Sequence, residues 1–264
     1  MDENRFDRES ARLSQKYRIE ILRSGPQFPL FPLTILQGQG KIHGREVGNV
    51  ESYWPLLSSE WNVYPSELME KTQFKHIILC EGLAYEASPF GKQPRAALPD
   101  LGYTSEHHHL YLDVASGRHN DLYVRAVIHH EFFHIIDFCD GNRLDRDEAW
   151  TALNPPGFIY GTGGEGEQDN PFTSVLTEDK PGFLNHYSTS ALREDKAEIF
   201  AYMVVARQYM EERAMRDAVV KKKMQKMQAR LQVFCPELDD QFWDQARAVE
   251  RPTVEPRIVE RPMV

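Results

Sequence analysis

Cysteine is scarce: Cys80, Cys139 and Cys235 are the only three, widely spaced, and no Cys-x-x-Cys occurs. That argues against a thiolate metal site or a disulfide framework and suits a reducing compartment. Long apolar runs are missing too, and no stretch approaches the length that spans a bilayer. Met1-Asp2-Glu3-Asn4-Arg5 is polar and lacks the apolar core of a signal peptide, so a cytoplasmic protein is the first expectation. Basic charge is in deficit, with 31 Lys and Arg against 40 Asp and Glu and a net charge of −9. A nucleic-acid binder would need a basic footprint, so a peptide or protein is the expected partner. What remains is ordinary for a globular chain of 264 residues, 41% hydrophobic and 27% charged, with enough apolar content for a core.

The chain is organised around Asp121 to Phe138, which contains no Gly or Pro and has Asn120 or Asp121 as a candidate N-cap. It reads as one helix, and Val127, Ile128, Phe132, Phe133, Ile135 and Ile136 make it apolar nearly all round, hence buried. Within it stands His130-Glu131-Phe132-Phe133-His134. Histidines at i and i+4 lie one above the other on a helix and can converge on a tetrahedral Zn²⁺. Glu131 points about 100° round from His130, off the ligand stripe but placed to hold a water. Buried imidazoles that merely hydrogen-bond in a core are the bland alternative. A buried carboxylate beside two imidazoles needs partners, and a metal meets that need.

Ahead of this helix, residues 3 to 23 read as an amphipathic helix leading into a strand, and Pro26 to Pro32 as an extended wrap. Gly38, Gly40, Gly44 and Gly48 suggest turns. Val50 to Lys71 suggests one or two helices broken near Pro65, and Phe74 to Cys80 a buried strand. A loop carrying Pro89, Pro94 and Pro99 follows, then a strand from Leu110 to Ala115 that could border a cleft and pair with an extended substrate. His107, His108 and His109 precede it; successive strand residues point to opposite faces, so they are expected at an exposed strand start rather than on one metal. Asp140 to Phe183, rich in Gly, Pro and Asn, reads as a loop and a candidate cleft wall. The last third is helical: Ala191 to Gln208, then Tyr209 to Leu231, then a short helix with Phe242 and Trp243. Met210, Met215, Met224 and Met227 are expected toward the core, and Lys221, Lys222, Lys223 and Lys226 on a solvated face. Val249 onward is a Pro-rich, charged tail.

A catalytic zinc site needs a third protein ligand and an open position. Glu194 and Glu198, at i and i+4, share a helix face, so one can ligate while the other hydrogen-bonds a ligating histidine. A charged face paired with Arg193 and Lys196 is the competing description, and periodicity does not choose between the two glutamates.

His130-Glu131-x-x-His134, Tyr187 and Glu194-Asp-x-Ala-Glu198-Ile-Phe-Ala together resemble the zincin domain of anthrax lethal factor, the Pro-Pro endopeptidases and a group of bacterial zinc-binding metallopeptidases. Asn154-Pro155 and Gly182-Phe183 are most similar to the last group. The resemblance spans roughly residues 105 to 205. It implies Zn²⁺ on His130, His134 and Glu194, with Glu131 as general base, Tyr187 as hydrogen-bond donor to the transition state, and Glu198 as the carboxylate behind a ligating histidine. His186, beside Tyr187, departs from the small or apolar neighbour common in these proteins.

The reading is an α+β, zincin-like fold, with a small strand layer and the active-site helix above a mainly helical lower part. Residues 1–105 supply helices and first strands, 106–248 the catalytic core and C-terminal helices, and 249–264 a tail. The expected activity is zinc-dependent peptide hydrolysis. Two alternatives stay open: a zinc-binding pseudopeptidase that captures peptide, and an adaptor whose zinc only holds the fold. The latter would need a fourth protein ligand, for which His186 is the candidate. Export also stays open, since proteins of the resembled group are often exported.

Overall fold

A computed structural model describes residues 3–23, 32–35, 38–87, 91–101, 107–115, 121–141, 143–161, 163 and 174–252. Among these, the chain runs α1 (Glu3–Tyr17), β1 (Glu20–Arg23), β2 (Pro32–Ile35), β3 (Gly38–Arg45), α2 (Trp54–Trp61), α3 (Ser66–Lys71), β4 (Phe74–Ala87), β5 (Gly91–Pro94), β6 (Ala97–Asp100) and β7 (His108–Asp113). Then come α4 (Asp121–Cys139), α5 (Glu148–Thr151), a 3₁₀ turn (Tyr187–Thr189), α6 (Leu192–Val205), α7 (Arg207–Arg216), α8 (Ala218–Phe234) and α9 (Asp240–Ala248). The described strands all lie in the first half, among three helices, and the second half is helical, the α+β arrangement expected from the sequence.

The seven described strands form one mixed sheet centred on β4. Its first half pairs in parallel with β1 and β7, and its second half antiparallel with β3 and β5. Gly82, at φ +62°, stands where the two halves meet, a conformation that Gly adopts without the Cβ clash of other residues. β7 is an inner strand between β4 and β6, and β6 pairs antiparallel with it. The strand expected to border a cleft is therefore paired on both sides, and β6 lies beyond it at the end of the strand order.

Alternation divides the sheet into two faces. Ile77, Leu79, Leu110 and Leu112 join the main core with Phe132, Phe133, Ile128 and Ile136 of α4, while Ile78, Cys80, Leu98 and Tyr111 join a second cluster with Ile42 and Tyr85. The main core extends from Phe6 in α1 to Ala246 in α9. Helix α4 is buried on both sides: Phe132 packs against Trp61 and Phe74, and Phe133 against Phe200 of α6.

Several expectations need correction. Gly38, Gly40 and Gly44 lie in strand β3 rather than in turns, while Gly48 lies in a bend after it: a Cβ on Gly40 would lie 2.2 Å from the Tyr85 ring, so Gly there lets the aromatic ring cover the strand. Pro94 and Pro99 sit in β5 and β6 rather than in a loop; the missing N–H of Pro99 is tolerated on a strand paired on one side. The helix expected from Tyr209 to Leu231 is two, because Asp217 caps a new start by accepting from Val219 and Val220 backbone N–H groups. Met215 is exposed, unlike Met210, Met224 and Met227. Lys223 is buried, not solvated, and donates to Asp195 and the Gly182 carbonyl. His108 is buried against Phe138 and Cys139 rather than exposed. The Pro26–Pro32 wrap falls outside the described residues through Phe31, as do Asn120, most of the 162–173 segment and the tail from residue 253.

Candidate metal centre

Helices α4 and α6 pack face to face and bring His130, His134 and Glu194 together. Glu194 Oε2 lies 3.0 Å from His130 Nε2 and 3.4 Å from His134 Nε2, and the two Nε2 atoms are 3.2 Å apart. Bonds of 2.0–2.2 Å at tetrahedral angles separate neighbouring ligand atoms by about 3.4 Å. The triangle is therefore close to one face of such a tetrahedron. Among the described residues this is the group of three or more His, Cys, Asp and Glu side chains whose ligand atoms converge closely enough to hold an ion, and His186 is not in it.

The donor chemistry fits a cation. His130 Nδ1 lies 2.8 Å from Glu198 Oε1, and a carboxylate can only accept, so the ring donates there and turns an Nε2 lone pair inward. That lone pair meets a Glu194 oxygen and a second imidazole nitrogen, three atoms that can share either the N–H proton of His134 or a metal cation. Burial alone would lower the pKa of His130, yet hydrogen bonds to Glu194 and Glu198 raise it well above the ordinary value. Burial would raise Glu194, but His134 and His130 hold it well below the usual carboxylate range. Without a metal, a proton takes the position a cation would fill. His134 Nδ1 is buried with no hydrogen-bond partner among the described residues, unlike the anchored His130.

Asn185 and Arg95, unread in the sequence, and Arg193, read there only as a charged neighbour, complete the geometry. Asn185 donates to Glu198 Oε2 at 2.5 Å and accepts from the Ser188 N–H, tying the carboxylate behind His130 to the Tyr187 turn. An Asn two residues before Tyr187 is the Asx-turn signal that could have found it. Arg193 Nε donates to Glu194 Oε1 at 3.1 Å while its Nη1 reaches Asp145, so Glu194 presents only Oε2 to the histidines. The charged-face description was thus right about Arg193, but Lys196 turns to Asp137, 2.6 Å away in the core. Arg95, between β5 and β6, acts electrostatically on both Glu131 and Tyr187. The neighbouring His129 serves structure instead: its Nε2 contacts Glu60 and its Nδ1 the Tyr64 hydroxyl.

Glu131 and Tyr187 are half-buried beside the triangle, and the Tyr187 ring centroid lies 5.8 Å from that of His130. Burial pushes the Glu131 carboxyl up, against the pull of His130 and His134. Burial, with Glu194 and Glu131 nearby, raises Tyr187 well above the ordinary phenol value and keeps its hydroxyl protonated. The loop expected as a wall places Pro155, Phe158 and Ile159 with Phe183 and Thr189 around a cavity of about 320 Å³ next to the Tyr187 turn.

No described helix is long and apolar enough to cross a membrane. No protein-family model matches the chain, and no curated protein matches it significantly. Among solved structures, that of a "putative zinc-binding metallo-peptidase" from Bacteroides caccae matches with a TM-score of 0.54, covering 94% of this chain and 92% of that one at 16% identity. At that identity the likeness is one of fold.

Proposed function

We propose that this chain is a zinc-dependent endopeptidase of the gluzincin type, with His130, His134 and Glu194 as metal ligands. The observation that carries the reading is the triangle of inward-facing Nε2, Nε2 and Oε2 atoms at 3.0 to 3.4 Å, with Glu131 and Tyr187 beside it and no fourth protein ligand among the described residues. A closed structural zinc would need that fourth ligand.

Bound Zn²⁺ supplies Lewis-acid polarisation of a peptide carbonyl and a lowered pKa for water. Glu131 takes the proton from the attacking water and delivers it to the departing amine nitrogen. Its upward-shifted carboxyl suits both halves of that transfer. The protonated Tyr187 hydroxyl donates a hydrogen bond to the carbonyl oxygen as negative charge develops there. Glu198, held by Asn185, fixes the His130 ring, and Arg193 holds the second Glu194 oxygen, leaving Oε2 as the atom that would bind a metal. Incubating the zinc-loaded protein with a peptide library and sequencing new termini tests the reading. Cleavage abolished by a chelator and restored by Zn²⁺ is expected; chelator-insensitive cleavage, or none with full zinc, would reject it.

A further inference from the structure

His109 on β7 is the register partner of His76 on β4, and His76 is the register partner of Glu20 on β1. Residues directly opposed in a sheet share a face, so the three form a row across adjacent strands. His76 Nδ1 and His109 Nδ1 lie 2.8 Å apart, and Glu20 Oε2 lies 3.5 Å from the other His76 nitrogen, Nε2. The His76 side chain keeps 23% of its surface exposed, which leaves the row open to solvent.

We propose that His76 and His109 form a second metal site, separate from the His130–His134–Glu194 centre, for a divalent transition metal of the copper or nickel kind with water completing its coordination. The Glu20 carboxylate, 3.5 Å from His76 Nε2, electrostatically favours the tautomer with the proton on Nε2, which leaves Nδ1 with a free lone pair for a metal. Metal bonds of about 2.0 Å meeting at a right angle separate two nitrogens by about 2.8 Å, the observed spacing; tetrahedral zinc would spread them to about 3.3 Å. Square-planar or tetragonal nitrogen–oxygen sites suit Cu²⁺ and Ni²⁺, and Cu²⁺ leads the affinity order of first-row divalent ions. Only neutral imidazole ligates. Burial and the neighbouring histidines push His109 down to about 4, and burial lowers His76, so both rings are neutral at pH 7. Without a metal, one N–H must sit between the two nitrogens. Binding moves that proton to Nε2 of His109 and releases none from the pair.

The proposal is independent of peptidase activity, and so is its test. Zinc-loaded full chain is titrated with Cu²⁺, following heat, zinc release and the electron paramagnetic resonance spectrum. One tetragonal Cu²⁺ with two nitrogen ligands, bound without zinc release, is expected. His76→Ala and His109→Ala should each abolish it, Glu20→Gln should weaken it by about tenfold, and His43→Ala should leave it intact. Copper that binds only by expelling zinc, or binds both alanine variants as well as the wild type, overturns the site. Should the variants fail to fold, selective broadening of the wild-type imidazole signals by substoichiometric Cu²⁺ decides. Loss of His76 and His109 first supports the pair, and loss of any other histidine first rejects it.

Discussion

Oε1 of Glu198 lies 2.8 Å from Nδ1 of His130, on the side of the ring away from Glu194. The contact fixes both the rotation and the tautomer of the imidazole, so Nε2 faces inward before any metal arrives. Glu194 and Glu198 are alike in the sequence and one turn apart, yet one faces the ligand triangle and the other the back of His130.

That division predicts unequal losses. Glu194→Ala should remove zinc, because a catalytic zinc site takes three protein ligands. Glu198→Ala should keep the site but weaken zinc by about 10- to 100-fold. Competition against a chromogenic chelator measures both. Equal losses in the two variants would mean that the roles are shared.

The role proposed for Tyr187 is at the transition state rather than on the metal. Tyr187→Phe should retain zinc at wild-type affinity and lower kcat by about 10²- to 10³-fold, the effect of deleting one oxyanion donor. Steady-state kinetics with a cleaved library peptide, together with metal content, checks it. A fall in zinc content would move Tyr187 into a structural role.

Acid should loosen the support behind α4. Glu60 is fully buried and receives His129, Arg125 and both sides of the Arg251 guanidinium. Burial alone would raise its carboxyl, but hydrogen bonds from His129 and Arg251 hold it below the usual range. A depressed folded pKa stabilises the protein above the unfolded value of about 4.3 and loses that stabilisation as pH falls further. Thermal midpoints should therefore drop steeply below about pH 4. Glu60→Gln should cost about 3–5 kcal/mol near neutral pH, by leaving two guanidinium groups short of a partner, and should flatten the acid limb. Calorimetry from pH 3 to 7 reads both effects.

How much of this was legible follows the physics of each segment. Helix α4 could be read because nothing in Asp121–Cys139 breaks a helix and its apolar residues surround it. Strands β3, β5 and β6 could not, since their Gly and Pro are explained only by the Tyr85 ring over Gly40 and by the one-sided pairing of β6. Lys223 looked like part of a solvated triplet; its partner Asp195 is 28 residues away, a pairing that only the packing of α8 on α6 creates. The two histidines and Glu131 were set by spacing within one helix. Choosing Glu194 over Glu198 as the proposed third ligand needed the resemblance; the Asn185 contact to Glu198 and the action of Arg95 on Glu131 are tertiary and not encoded by local spacing, whereas Arg193 beside Glu194 was legible as a charged neighbour.

The most direct test of the central claim compares zinc-loaded wild type with zinc-loaded Glu131→Gln on one peptide library. The amide nearly matches the carboxylate in shape but cannot take the proton. Both proteins should carry about one zinc per chain, and only the wild type should generate new peptide termini. Equal cleavage by both, or loss of zinc from a folded Glu131→Gln protein, would contradict the account.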